Sequence, residues 1–364
     1  MSLLTLTAPA PEIEASIAWR AIWRAALIST FLVVGSVLMH VSASGGNPLS
    51  LVNPGAQGPS AAVVAQDFPS VKLPDGLGHD GQQFYAIARE PMHLDKVSRS
   101  LDRPRYRLQR PLYPVLAWVV HPTGGGVGLV LALLLVNVAA MLGGAVATGV
   151  ISDRLAGLPR LAALFPLMPG SWFAMRLSTA DLLALALTMA SLAFAVTHHE
   201  RRVGLAGLLA VFAKESSLVT LVGMSARATG LRRLLTAGIV AAVGAWWLAL
   251  HALVAADRAQ VVEFAPPFQA LVNVFRRRWI HGEELPASIT VLAGLGLGVL
   301  LLVTRRPRQS VLWWPVALNL GFLLILGPDV IGLEANGSRA AAPLLLLAVL
   351  GLLDRGNVSP ARSA

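Results

Sequence analysis

Apolar and polar positions in this chain segregate into blocks rather than alternate. About ten apolar runs, at 23–41, 126–151, 161–175, 182–197, 203–213, 217–226, 234–256, 288–304, 311–327 and 340–353, are separated by polar clusters. Runs that are apolar all round predict helices in apolar surroundings, and those near 20 residues match the thickness of a bilayer. The expected fold is all-α: a polytopic helical membrane protein of about ten transmembrane or half-length helices, as one membrane domain over residues 1–364. The first run is preceded by Arg20 and Arg24 and followed by Ser42-Ala43-Ser44, so a cleaved leader is its alternative reading.

Residues 203–226 would make one span of ordinary length with Lys214 and Glu215 at its centre. A single span sends Arg227, Arg232 and Arg233 outside, whereas two half-length helices of about 15 Å, turning at Lys214-Glu215, bring them back inside. With the split, fourteen basic residues occupy short segments on one side, against Arg176, Lys214 and Arg339 in short turns on the other. Short basic loops stay in the cytoplasm, which predicts cytoplasmic N- and C-termini, a cytoplasmic tail at 354–364, and external loops at 44–110 and 257–287.

Composition narrows the class. The chain is 55% hydrophobic and only 13% charged, about half the charge of a soluble domain, and its mean hydropathy is +0.66. A soluble enzyme, a disordered regulator and a collagen-like fibre are excluded. The absence of cysteine removes disulfides, zinc–thiolate sites and thiol nucleophiles. The net charge of +10 lies in short clusters, so nucleic acid is not an expected partner. Only three of the 29 basic residues are lysine, and this Arg bias fits a GC-rich bacterial genome and an inner (plasma) membrane location.

Candidate chemistry concentrates in the first external loop. In the run from Gly78 to Pro91, Asp80 and Gln83 have capping-box spacing. Phe84, Ile87 and Ala88 then share a face, which predicts a short amphipathic helix on the outer membrane surface, ended by Pro91. Asp80 reads either as a helix cap or as a general base at the lipid–water boundary, placed to meet a head group and take a proton from an acceptor hydroxyl. Glu90 is a second carboxylate nearby. Four arginines follow within eight residues, Arg103, Arg105, Arg107 and Arg110, whose planar donors suit phosphate or anionic lipid. The apolar stretch 111–120 is short enough for an interfacial or re-entrant helix.

Arg176, Asp181, Lys214, Glu215, Glu334 and Arg339 occupy short external turns. Ionisable groups beside hydrocarbon are paired or functional, so these form either a structural ion network or part of a substrate site. Lys214 and Glu215 are adjacent and need partners elsewhere. The eight histidines show no HExxH spacing and no Walker loop occurs, so no cofactor is expected and no divalent metal is indicated.

The run Asp80-Gly81-Gln82-Gln83-Phe84-Tyr85-Ala86-Ile87-Ala88 resembles the first external loop of the C-type (GT-C) membrane glycosyltransferases, including GPI-type mannosyltransferases and related bacterial integral membrane proteins. Tyr106-Arg107-Leu108-Gln109-Arg110-Pro111-Leu112-Tyr113-Pro114 and the Lys214-Glu215 pair are similar to further elements of those proteins. The resemblance implies a polyprenyl-phosphate sugar donor, a catalytic role for Asp80, and lipid-phosphate binding by Arg107, Arg110, Lys214 or Arg339. The expected activity is inverting transfer of a sugar, mannose-type favoured, to an extracytoplasmic hydroxyl of a glycan or glycolipid acceptor. Asp80 and Glu90 are the catalytic candidates; Gln83, Tyr85, Arg107, Arg110, Arg176, Asp181, Lys214, Glu215 and Arg339 are the substrate-binding ones. The expected partners are the donor, the acceptor and membrane lipids. A transporter or lipid flippase, or a non-catalytic envelope-assembly protein, is the alternative.

Overall fold

The computed structural model describes residues 16–257 and 263–356; Arg362, most of the expected 354–364 tail and residues 258–262 of the expected second external loop lie outside the described residues. The described residues are helical throughout, without a β-strand, and two isolated bridges, Pro54 with Gly78 and Phe264 with Leu326, pin loops together.

Helix α1 (Trp19–Ala43) realises the first apolar run. Five short helices follow in the 44–110 loop and just after it: α2 (Ala61–Asp67), α3 (Gly81–Arg89), α4 (Leu94–Ser98), α5 (Pro104–Leu108) and α6 (Leu112–Val120). Helix α3 departs from its expectation. Every residue from Gly81 to Ala88 is buried, so it is an internal helix and not one lying on a membrane surface. The polar glutamines on its supposed outer face are used inside the protein, Gln82 donating to the Leu77 carbonyl and Gln83 accepting from the Asp102 amide. Its end is as expected: Glu90, held out of the helical region before Pro91, terminates it.

Helix α7 (Val127–Ala156) is the longest. Gly157 stops it in the left-handed conformation, φ 68°, its amide returning to the Asp153 carbonyl as in a left-handed glycine cap and the Leu158 amide to that of Ser152. The run 161–175 is a broken segment: a 3-10 turn (Pro159–Ala163), α8 (Leu164–Leu167) and α9 (Pro169–Arg176). Pro166 and Pro169 remove helical donors, Met168 is extended, and the Ser171 hydroxyl satisfies the Phe165 carbonyl at 2.7 Å. The segment still runs alongside α1, from Ala162 beside Ile22 to Trp172, whose indole donates to Ser36.

Next come α10 (Asp181–Val196), α11 (Glu200–Ala213) and α12 (Ser217–Ser225). The chain breaks between α11 and α12 at Lys214, which is extended, so the split inferred from charge placement is present. Helix α13 (Leu231–Leu253) exposes Leu234, Val240, Trp247 and Leu248. The rest is α14 (Gln269–Arg277), α15 (Leu285–Thr304), α16 (Trp313–Leu324), α17 (Pro328–Ile331) and α18 (Glu334–Leu353). Five helices, α1, α7, α13, α15 and α18, are long and apolar enough to cross a membrane; α10 and α16 are shorter apolar helices.

Two glycines set the close approaches that matter below. A Cβ at Gly81 would lie 2.4 Å from the Leu177 carbonyl oxygen, and one at Gly170 would lie 2.5 Å from that of Ser338. Only glycine lets α3 reach the end of α9, and α9 reach the α18 backbone beside Arg339.

Candidate active site

Asp80 sits at the start of α3, where the His79 amide donates to the Asn53 carbonyl and the Pro54–Gly78 bridge fixes the approach. The capping box does not form. Asp80 has helical backbone angles and its side chain caps nothing. Its oxygens face two arginines instead: Oδ1 lies 3.0 Å from Arg107 Nη1, and Oδ2 lies 3.6 Å from Arg339 Nη2. Long-range ion pairing has taken the carboxylate that local spacing assigned to the helix amides.

Arg107 projects from α5, a helix started by Pro104 at its first position. Its guanidinium also grips Asp102 through both oxygens, at 3.0 and 2.9 Å. Beside it the Tyr106 ring is sandwiched by the guanidinium groups of Arg103 (3.8 Å) and Arg110 (4.1 Å), a cation–π stack that orders the arginine cluster. Arg103 pairs with Glu263 at 2.8 Å, and Arg110 makes a bidentate pair with Glu215 at 2.8 and 2.6 Å.

Arg339, on α18, is 5% exposed and bridges Asp80 to Asp181, with Nη1 2.9 Å from Asp181 Oδ2. Its remaining donors go to Asn336 Oδ1 and the Ala335 carbonyl. Asp181 opens α10, where a negative charge suits the positive helix end, and Lys214 at the α11–α12 break donates to its other oxygen at 2.5 Å. Lys214 and Glu215 thus find separate partners, as their adjacency requires. The result is a continuous chain, Asp102–Arg107–Asp80–Arg339–Asp181–Lys214, with three carboxylates and three cations, flanked by the Arg110–Glu215 and Arg103–Glu263 pairs.

Titration follows this geometry. Burial raises the Asp80 carboxyl, but the charges of Arg107 and Arg339 outweigh it and hold the group well below the usual carboxylate range. Asp102 is likewise pushed up by burial and brought below its ordinary value by hydrogen bonding and charge from Arg107. His79 is lowered by burial and then by Arg339, so it stands neutral at pH 7 beside the network.

Asp181, Lys214 and Arg339 line the head of a cavity of about 930 Å³, counted with its open mouth, between α9, α10, α12, α16 and α18, while Asp80 and Arg107 are not among its lining residues and join it through Arg339. Below the charges its walls are mainly apolar, with Leu185 and Phe322, and carry a few polar groups in Thr188, Thr220 and Asn319. Asn319 donates to the Thr220 hydroxyl at 2.9 Å and to the Pro315 carbonyl at 2.8 Å. Counting 1.5 Å per residue from Val196, Glu200 and Leu353, Asp181, Lys214 and Arg339 stand about 21–23 Å above the opposite ends of their helices. That is about 8 Å short of a full hydrocarbon thickness of about 30 Å.

Other candidates lie apart. Tyr85 is fully buried on another side of α3, donating to Asp67 at 2.7 Å and accepting from the Gly126 amide. Glu90 ends α3, about 15 Å from Asp80 by helix length, and pairs with Arg89 and Lys96. Arg176 donates to His40 at 3.0 Å and stacks on Trp172. Gln83 touches the network only through the Asp102 amide. Conversely, sequence reasoning passed over Asp102, His79, Asn336 and Glu263. Asn336 stands three residues before Arg339 on the same helix face, and Asp102 adjoins the arginine run, so both carried a signal; Glu263 carried none.

Comparison of the chain with protein-family models, curated proteins and solved structures finds no match.

Proposed function

We propose that the chain is an inverting glycosyltransferase that takes a sugar from a polyprenyl-phosphate carrier. The observation supporting this most directly is the ion network from four separate parts of the chain, in which Asp80 pairs with Arg107 and Arg339 and is joined through Asp181 to Lys214, with Arg339, Asp181 and Lys214 at the head of an apolar-walled cavity. The cations match the charge of a membrane-borne phosphate, and its apolar chain fits the apolar walls. In the reaction, the acceptor oxygen attacks the anomeric carbon, its proton passes to Asp80, and the carbon–oxygen bond to phosphate breaks with the electron pair leaving on the phosphate. Arg107, Arg339 and Lys214 balance the charge that develops there. A phosphate leaving group is weakly basic and needs no strong acid. The threading that goes with this reading has about ten crossings of a bacterial plasma membrane, with both termini cytoplasmic and the 44–110 loop outside.

The test is release or transfer of label from a panel of radiolabelled polyprenyl-phosphate sugars by purified wild type and Asp80→Asn matched for folding. Turnover by wild type and a loss of at least about 100-fold in the variant, the scale of a general base, is expected. Equal turnover moves the base to Asp181, and no turnover with any donor and supplied envelope acceptors overturns the reading.

One observation favours transport instead. A second cleft, at the opposite end, is lined by Leu192, Met224, Arg227, Arg308 and Trp314, so on α10 and α12 about one helical turn separates the two cavities, Thr188 from Leu192 and Thr220 from Met224. Movement of a fluorescent polyprenyl-phosphate sugar between leaflets of proteoliposomes, without turnover, would establish that alternative.

A further inference from the structure

The six-member chain of charges is neutral: Asp80, Asp102 and Asp181 against Arg107, Arg339 and Lys214. A phosphate cannot simply be added to it. One more negative charge in a largely buried network is costly unless a carboxylate gives way. The three carboxylates are not equally held. Asp102 receives both forks of Arg107 and the Arg103 amide. Asp181 is fixed by Lys214 and by Arg339 at 2.9 Å. Asp80 has one close contact, to Arg107, a longer one of 3.6 Å to Arg339, and no capping bond. Its side chain is 29% exposed, as is that of Asp102, against 15% for Asp181, so it is the weaker hold and not exposure alone that singles it out.

We propose that Asp80 is a placeholder: the anionic phosphodiester of the lipid-borne donor takes over its contacts with Arg107 Nη1 and Arg339 Nη2, and the displaced carboxylate becomes free to accept a proton. This rests on the lipid-phosphate reading above and adds its control. No covalent bond changes on binding. At acid pH one proton comes from solvent to Asp80 as the anion binds; near neutrality the freed carboxylate stays ionised but is more basic than in the empty site, and takes its proton from the acceptor hydroxyl. The base is thereby masked by ion pairing until the donor is in place, which guards the site against proton transfer with no sugar to move. The groups facing Asp80 agree on the sign. Arg107 from α5 and Arg339 from α18 favour its ionised form, the neighbouring His79 adds little while neutral, and Asp181 from α10 opposes. Replacing the two arginine contacts by an anion reverses the dominant influence.

The probe is a short isoprenyl methyl phosphodiester, which keeps a single negative charge between pH 4.5 and 7.5, so that only protein groups titrate. Calorimetry on the full-length protein in nanodiscs, run in two buffers of different ionisation heat, counts protons taken up per anion. Wild type is expected to take up close to none at pH 7.5 and to approach one at pH 4.5, with affinity rising by up to about tenfold for each unit fall in pH where uptake is complete. Asp80→Asn is expected to bind more tightly than wild type at pH 7.5 and to lose the uptake. If that variant does not fold, Asp102→Asn serves, because it keeps Asp80 and is expected to keep the uptake. Anion binding by wild type with no proton uptake at pH 4.5 overturns the placeholder and leaves the lipid-phosphate reading standing. No binding by wild type or variant at any pH overturns both.

Discussion

Asp181 is the residue on which the network's stability turns. It holds two cations at once, Lys214 and the buried Arg339, and among the described residues it is the carboxylate that Lys214 is ion-paired with. Removing one member of a buried pair leaves an uncompensated charge and costs about 3–5 kcal/mol, whereas an exposed pair contributes about 0–1 kcal/mol. Asp181→Asn is therefore expected to lower the unfolding midpoint strongly, and Glu200→Gln, which breaks the more exposed pair with Arg232 at the other end of the bundle, hardly at all. Thermal unfolding in one detergent, both variants against wild type, checks this; equal shifts would show that Asp181 is not a keystone. Such residues were legible in sequence because an ionisable group beside an apolar run is costly, which singles out Asp181, Lys214 and Arg339 without any knowledge of the fold. The partner of Asp80 was not legible. Spacing sees only neighbours, and the capping box it suggested lost to guanidinium groups that other helices deliver.

At the scale of elements, the Lys214-Glu215 break was readable from charge, since an unbroken span would strand three arginines on the wrong side. The interior placement of α3 was not, because its polar positions have the periodicity of an amphipathic surface helix and serve instead as internal donors and acceptors. Nor was the break at Met168, although Pro166 and Pro169 marked it. That broken segment carries Gly170 against the carbonyl of Ser338, one residue before Arg339. Gly170→Val is expected to push α9 and α18 apart, costing at least about 1–3 kcal/mol as overpacking does and pulling Arg339 away from Asp181 and Asp80. Gly143→Ala, in the interior of α7 with open space around the added carbon, is the control: it is expected to raise stability by about 0.5–1 kcal/mol and leave phosphodiester binding unchanged. Loss of binding in the control as well would mean that backbone entropy, not helix spacing, governs the site.

Across the whole molecule, charge is sorted by end. The network and the 44–110 loop occupy one end, and the Arg227, Arg232 and Arg308 surroundings of the second cleft occupy the other. Arg227 donates to the Pro307 carbonyl at 2.7 Å, so the segment after α12 and the α15–α16 turn share that end. This is the arrangement that the split at Lys214-Glu215 requires; an unbroken span would have carried Arg227 to the same end as Asp80. The positive-inside rule then predicts, as a proposal to be tested, that the Arg227 end faces the cytoplasm. A chain without cysteine lets this be tested directly, since any single introduced thiol is the sole target of a maleimide. Asp75→Cys in the first loop is expected to react with a membrane-impermeant maleimide in intact spheroplasts, while Arg227→Cys and Arg308→Cys, both at exposed positions, react only after permeabilisation. The reverse pattern would turn the molecule over and put the charged network on the cytoplasmic side, where a donor handed over outside the cell could not reach it. Labelling of Arg227→Cys together with Asp75→Cys would contradict the packing of α12 against the rest of the bundle.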